Sequence, residues 1–227
     1  TMTPLSLILS DTDDDSADIN IKSKKMIKDF LVIDCTGKNN FIALKNDNKF
    51  FIKKLQTNLI KNEILVLEIA NFIKKYNIDL NSDFSIFVNS GPGSFSGIRI
   101  SLSVAKGIKL VKKTNIYSYN SFLLNAAPYL HEKKKIISIQ KTNHFYYYST
   151  VTFKLYYHFT YPSKIDLNKL QKEDFVFVVP DTIKNDEIIK NINFKKIRIA
   201  EFNPKNIDLL IENKLVENKL IKPLYLS

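Results

Sequence analysis

Short apolar runs separated by polar turns fill the chain from Phe30 onward. FLVID at 30–34 predicts a buried strand, and FIALK (41–45) and KFFIKK (49–54), separated by the turn NDN, predict a hairpin. Apolar side chains at helical spacing predict a helix over 59–76, and FSIFV at 84–88 predicts another buried strand. A second helix over 96–112 and the strand NIYSY follow. The predicted order of elements in the first half is therefore βββαβα, followed by a strand.

The second half repeats this order of elements. A last helix is expected after Asn203 as N-cap, with Pro204 at the first helical position. The preceding elements are three strands (KIISIQ, HFYYYSTVTF, LYYHFTY), a short helix (DLNKLQK), a strand (FVFVVP), a helix (NDEIIKNI) and a strand (KKIRIA). The two halves share the order of their elements but no sequence identity. The repeated order predicts an α/β protein of two lobes with mixed sheets, residues 26–120 and 121–227.

The first 25 residues stand apart, because SDTDDDSADIN is acidic and polar and has no period. Such a composition predicts disorder. Thr1 ahead of Met2 also fits a cloning remnant, and Met26 fits a natural start. We therefore treat residues 1–25 as a disordered acidic tail or a cloning remnant, outside the fold.

Composition limits the possible compartments and partners. Cys35 is the single cysteine, which excludes an intramolecular disulfide and fits a reducing compartment. No apolar run approaches the ~20 residues that span a bilayer, so we expect a cytoplasmic protein with no membrane partner. The net charge of +11 invites a nucleic-acid role, but the lysines are spread along the chain. We therefore interpret the positive net charge as a general compositional bias rather than as a nucleic-acid-binding surface.

Four of the five glycines fall within NSGPGSFSGIRISLSVAKG, residues 89–107. A glycine turn between a strand and a helix can hold phosphate, because the helix N-terminus offers unpaired N–H groups. The GxGxxxG spacing of Gly91, Gly93 and Gly97 matches neither the dinucleotide nor the P-loop fingerprint. Phe95 stands where a nucleophile elbow requires serine.

Close packing is the alternative use of these glycines. Gly97, Ser101 and Ala105 recur every four positions and form a stripe of small side chains on one helix face. Such a stripe lets another helix or a sheet approach closely. The spacing favours packing over phosphate binding.

Catalytic constellations are missing from the sequence. The three histidines have no metal-ligand spacing. Asp34 ends the first strand, where it can hold a metal-bound nucleotide or cap the turn with Thr36, and Cys35 has no histidine partner in sequence. We expect no catalytic residue, no metal and no cofactor. The positions that remain as vestigial nucleotide-binding candidates are Asp34, Gly91, Gly93 and Ser94.

Four segments together resemble the TsaB (YeaZ) family: FLVIDCTGKNNFIAL, GPGSFSGIRISLSVAKGI, KTNHFYYYS and PLYLS. The glycine signature is the specific one. The resemblance covers about residues 28–227 and implies the actin-like, Hsp70-like ATPase (ASKHA) fold with two βββαβα lobes. The chain departs from the family in DCTG, where Asp-Thr-Ser is more usual, and in Asn62 and Glu63, where a His-Ser or His-Glu pair is common.

The resemblance also implies a function. TsaB belongs to the machinery that installs threonylcarbamoyl on adenosine 37 of tRNA, where it is the non-catalytic relative of TsaD. It implies a TsaD-like catalytic subunit and a TsaE-like ATPase as partners, a homodimer when alone, and tRNA contact only through the complex. In the family the helices matching 59–76 and 96–112 bind the partner. The residues expected at that interface are Ile60, Ile64, Leu67, Gly97, Ser101 and Ala105.

The apolar pattern supports a partner-binding helix independently. Helix 59–76 carries one apolar face with Leu65, Ile69 and Phe72 and another with Ile60, Ile64 and Leu67. One face can cover a sheet, and the other requires a partner. Two further functions stay open: an independent ATP-dependent or peptidase-like enzyme of the same fold, and a stand-alone RNA-binding module.

Overall fold

The computed structural model describes residues 27–37, 39–56, 62–132, 135–142, 145–154, 157–166, 175–192, 196–218 and 222–226. The acidic segment 1–25, the interface candidate Ile60 and most of the predicted helix DLNKLQK lie outside these residues.

The first sheet has the strand order β3-β2-β1-β4-β5. Its strands are β1 (Phe30–Asp34), β2 (Phe41–Asn46), β3 (Lys49–Lys54), β4 (Ser85–Asn89) and β5 (Asn115–Tyr119). β1, β2 and β3 are antiparallel, and β4 and β5 run parallel to β1. Two helices, α1 (Asn62–Lys75) and α2 (Phe95–Lys112), bury apolar side chains against one face of this sheet.

The second sheet has the order β11-β10-β6-β7-β8, with β9 paired to β7. Its strands are β6 (Lys135–Thr142), β7 (Phe145–Phe153), β8 (Tyr157–Phe159), β9 (Ser163–Lys164), β10 (Phe175–Pro180) and β11 (Ile197–Ala200). Counted from β8, the order β8-β7-β6-β10-β11 repeats the pairing of the first sheet, with the same antiparallel and parallel neighbours. This duplication confirms the predicted α/β fold class with two mixed sheets.

One hydrophobic cluster joins the two sheets. It contains Phe30 and Phe87 from the first sheet and Ile136 and Val178 from the second. The helix α3 (Ser121–Ala126), continued by a 3₁₀ turn to Glu132, lies in the same cluster. The sequence interpretation missed α3, although the Asn120 side chain caps it by accepting a hydrogen bond from the Leu123 N–H at 2.9 Å.

The last part of the chain crosses back to the first sheet. The short helix α4 (Glu187–Lys190) precedes β11, and α5 (Asn206–Glu212) follows it. The predicted N-cap Asn203 is wrong for α5, because its side chain accepts from the Lys205 N–H in the preceding turn. Beyond α5, Glu217 pairs with Ser118 of β5 through two backbone hydrogen bonds.

Candidate functional site

The carboxylate of Asp34 lies buried at the carboxyl end of β1 and accepts four hydrogen bonds from its own chain. Its Oδ1 atom accepts from the backbone N–H and the hydroxyl of Thr36, at 3.0 and 2.6 Å. Its Oδ2 atom accepts from the Asn89 side-chain amide at 2.9 Å and from the Tyr119 hydroxyl at 2.8 Å. A buried carboxylate is costly unless donors surround it. Asp34 therefore joins the ends of β1, β4 and β5.

Asn89 extends this network toward α3 and the glycine turn. Its amide nitrogen also lies 3.0 Å from the hydroxyl of Ser121 at the start of α3. Its side-chain oxygen accepts from the Gly91 N–H at 2.9 Å. The sequence interpretation missed Asn89 and Tyr119 as members of this site. A signal was present, because Asn89 ends β4 and Tyr119 ends β5, two strands that run parallel to β1, and the carboxyl ends of parallel strands meet at one edge of the sheet.

The glycines of the turn allow backbone to approach backbone. A side-chain carbon on Gly93 would overlap the carbonyl oxygen of Thr36, and one on Gly97 would overlap that of Cys35. The Ser94 N–H donates to the Thr36 carbonyl at 2.7 Å, which fixes the turn against the loop after β1. The loop after β1 thus fills the space directly above the glycine turn.

The C-terminal segment 222–226 covers the other side of the turn. The Leu224 N–H donates to the Ser90 carbonyl at 2.6 Å, and the Tyr225 ring lies 4.9 Å from the Phe95 ring, centre to centre. Gly91 has a φ of 111°, and a side-chain carbon there would lie 2.7 Å from the Leu224 carbonyl oxygen. Glycine is required at this position both by its positive φ and by the contact with Leu224.

Hydrogen bonds within the chain occupy the vestigial nucleotide-binding candidates. The Ser94 side chain caps α2 by accepting from the Gly97 N–H at 3.3 Å. Asp34 uses both oxygens on protein donors, and Gly91 and Gly93 face other backbone segments. The structure brings these four residues together, and the arrangement holds β1, α2 and the C-terminal segment to one another.

The thiol of Cys35 is buried beside this network. Its backbone N–H donates to the Ser101 hydroxyl at 3.1 Å. The pKa of Cys35 is raised to about 11, chiefly by burial; the hydrogen bond with Ser101 lowers it, and the charge of Asp34 raises it. Because a thiolate is the reactive form, this cysteine is a poor nucleophile near neutral pH.

The stripe of small residues on α2 faces the protein's own sheet. Ser101 and Ala105 have no exposed surface, and Gly97 contacts Cys35 at the end of β1. The prediction that Gly97, Ser101 and Ala105 contact a partner is therefore corrected. Their physical role is to let α2 lie close to β1, since larger side chains would push the helix off the sheet.

The interface candidates Ile64 and Leu67 lie on α1, outside the helix face that is buried against the first sheet. Leu65, Ile69 and Phe72 are buried against the first sheet. Ile64 is half-buried, and the apolar side chains of Val66 and Leu67 are 50% and 62% exposed. We call Ile64, Val66 and Leu67 the outer face of α1.

Neither a group of metal-ligating side chains nor a membrane-spanning helix is found in the described part of the chain. Within it, no three metal-ligating side chains come together. A lipid bilayer could not be spanned by any of the helices that the structure describes.

Comparison with known proteins gives relatives in both sequence and structure, although no protein-family model matches the chain. The chain is 32% identical over 126 residues to the tRNA threonylcarbamoyladenosine biosynthesis protein TsaB of Buchnera aphidicola subsp. Baizongia pistaciae. That alignment covers 52% of this chain and 56% of the Buchnera protein, so it spans little more than half of that relative. The chain is also 26% identical over 187 residues to an uncharacterized Mycoplasma pneumoniae protein, the MG208 homolog, covering 79% of this chain and 92% of that one.

Two solved structures share the fold over most of the chain. YeaZ from Pseudomonas aeruginosa matches with a TM-score of 0.60 at 13% identity, covering 88% of this chain and all of that one. An uncharacterized protein with similarity to peptidase YeaZ from Pseudomonas aeruginosa matches with a TM-score of 0.65 at 12% identity over the same shares.

The duplicated mixed sheets and these matches define a protein of the actin-like, Hsp70-like ATPase fold. Within that class, the chain is similar in sequence to Buchnera TsaB over about half its length and similar in fold to YeaZ over 88% of it.

Proposed function

We propose that this protein is an accessory subunit in the formation of N6-threonylcarbamoyladenosine at position 37 of tRNA. The observation that carries the proposal is the 32% identity to Buchnera TsaB, supported by the YeaZ fold. In this role the chain binds a TsaD-like catalytic subunit and works with a TsaE-like ATPase. It contacts tRNA through the complex rather than by itself, and it forms a homodimer when alone.

The arrangement around Asp34 supports an accessory rather than a catalytic role. A nucleotide or metal at the ends of β1 and β4 would need carboxylate oxygens and turn N–H groups facing the ligand. Here Asp34 accepts four protein donors, and the C-terminal segment and the loop after β1 pack on the glycine turn. The raised pKa of the Cys35 thiol gives no support to the alternative of a peptidase-like enzyme.

The outer face of α1 is the surface that best suits the partner. The side chain of Val66 is 50% exposed and that of Leu67 is 62% exposed. A helix that buries one apolar face and exposes another requires a surface that covers the exposed one. The proposed N-terminal lobe, residues 26–120, thus carries partner recognition. The proposed C-terminal lobe, 121–227, supports it through the shared core and through the segment that returns to Ser90.

Reconstitution tests the proposal directly. The chain is combined with a TsaD-like subunit, a TsaE-like ATPase, threonylcarbamoyl-adenylate and a tRNA transcript, and the modified nucleoside is measured by mass spectrometry after digestion. We expect product only when this chain and the TsaD-like subunit are both present. Product formed without the chain would contradict an accessory role, and product formed without the TsaD-like subunit would show that the chain is itself an enzyme.

A further inference from the structure

The carboxyl-terminal ends of α1 and α2 form a lysine-rich surface at one end of the first sheet. Both helices precede strands that run parallel to β1, so both end at the edge where β4 and β5 begin. α2 carries no acidic residue, and the charged side chains in the last turns of both helices are all basic. We call this surface the lysine end, and its cations are Lys74, Lys75, Lys106, Lys109, Lys112 and Lys113.

The lysine end also exposes apolar side chains. Leu110 and Val111 are 74% and 77% exposed, the largest exposures among the large apolar side chains in the described residues. The carboxylates at this edge of the sheet are fewer than the lysines: Asp29, Asp47, Asp79 and Asp83. Of these, Asp79 lies 3.3 Å from Lys112 in an ion pair. An exposed surface that is both basic and apolar fits an occupant that is both acidic and apolar.

The chain itself contains such an occupant. Residues 4–9, PLSLIL, are apolar, and five aspartates follow at positions 11, 13, 14, 15 and 18. We propose that this N-terminal segment docks on the lysine end of its own chain. The aspartates meet the lysines, and the apolar residues cover Leu110 and Val111.

The place where the described chain begins supports docking within one molecule. Ile27 precedes β1 by three residues, and β1 begins beside the start of β4, where Phe30 pairs with Ser85. The Ser85 N–H donates to the Asp29 carbonyl at 3.1 Å, at the same edge of the sheet as the lysine end. The residues between Asp18 and Ile27 reach up to about 28 Å when extended, whereas neighbouring strands lie only about 5 Å apart. A tether this short gives the segment an effective concentration in the millimolar range.

Binding of a fluorescent oligouridylate to the chain of residues 1–227, followed by fluorescence anisotropy, tests the docking. The probe is an anionic polymer that competes with the aspartates for the lysines. One variant neutralises the segment, with Asp11, Asp13, Asp14, Asp15 and Asp18 all changed to Asn. We expect this variant to bind the probe about fivefold more tightly than the wild type, beyond the effect of added net charge.

A double-mutant comparison separates docking from net charge. The segment variant is combined with Lys74→Gln, Lys106→Gln and Lys109→Gln, and separately with the control Lys154→Gln, Lys190→Gln and Lys205→Gln, all at exposed positions. Docking predicts that the gain in affinity disappears with the first triple and persists with the control triple. An equal gain in both backgrounds would overturn the proposal. A gain that depends on protein concentration, with an oligomer seen by ultracentrifugation, would also overturn it, because the segment would then occupy a second copy.

Discussion

The hydroxyl of Tyr119 donates to the buried carboxylate of Asp34 across 2.8 Å, joining the end of β5 to the end of β1. Neither strand pairs directly with the other, since β4 lies between them. The contact therefore ties three strands into one rigid edge, against which the glycine turn and α3 are positioned.

Tyr119→Phe is expected to lower the free energy of unfolding by about 1–3 kcal/mol, because it leaves a buried acceptor with one donor fewer. Urea denaturation measures the change. Tyr117→Phe is the control, since Tyr117 lies on the same strand, half-buried and stacked on Phe87. Equal stability of Tyr119→Phe and the wild type would show that the hydroxyl contributes little to this edge.

Gly97→Ala is expected to destabilise the fold by about 1–3 kcal/mol, because the new methyl group overlaps the Cys35 carbonyl and neither backbone can move freely. Gly107→Ala on the same helix has no atom within 4 Å of the new carbon. It should instead stabilise the helix by about 0.5–1 kcal/mol. Thermal melting of the two variants is the measurement, and shifts in the same direction would mean that α2 does not lie as close to β1 as the structure shows.

Cys35 is expected to resist alkylation in the native protein at pH 8 and to react fully after denaturation, because burial raises the pKa of its thiol to about 11. The pKa is raised in the folded state, so the unfolded chain loses the proton first as pH rises. The contribution of the Cys35 thiol to the free energy of unfolding is fully present below about pH 9 and is lost as the pH rises toward 11. The slope of stability against pH in this window should be smaller in Cys35→Ala. Rapid labelling of native protein would contradict the buried thiol.

Leu67→Glu is expected to weaken binding to a TsaD-like subunit by at least about tenfold while leaving the melting temperature nearly unchanged, because Leu67 is 62% exposed on the outer face of α1. Tyr161→Glu, at a 72% exposed position in the second half, is the matched control and should bind normally. Isothermal titration and gel filtration report the complex. Normal binding by Leu67→Glu would show that the outer face of α1 does not form the interface. Ser101→Arg does not test that interface, since Ser101 is fully buried and the change would destabilise the packing of α2 on the first sheet.

The sequence by itself determined the elements and their repeated order. Period-two and period-3.6 apolar patterns depend only on neighbouring residues, so β1–β7, β10, α1 and α2 were predicted close to their observed bounds. The four-residue spacing of Gly97, Ser101 and Ala105 also predicts a closely packed face on α2, although not the surface against which it packs. α3 was missed because its 6 residues make less than two helical turns, too few for a 3.6-residue period to show.

Only the tertiary structure decided which way each helix faces and what the polar groups at the strand ends contact. Two apolar faces on α1 are equivalent in sequence, and the sheet selects the one with Leu65, Ile69 and Phe72. The sheet likewise determines that the small residues Gly97, Ser101 and Ala105 of α2 face β1 rather than solvent. The four donors to Asp34 come from residues up to 85 positions apart, and the cover on Gly91 comes from the far end of the chain. Contacts between distant residues depend on how the lobes and the C-terminal segment pack, and local patterns do not contain that information.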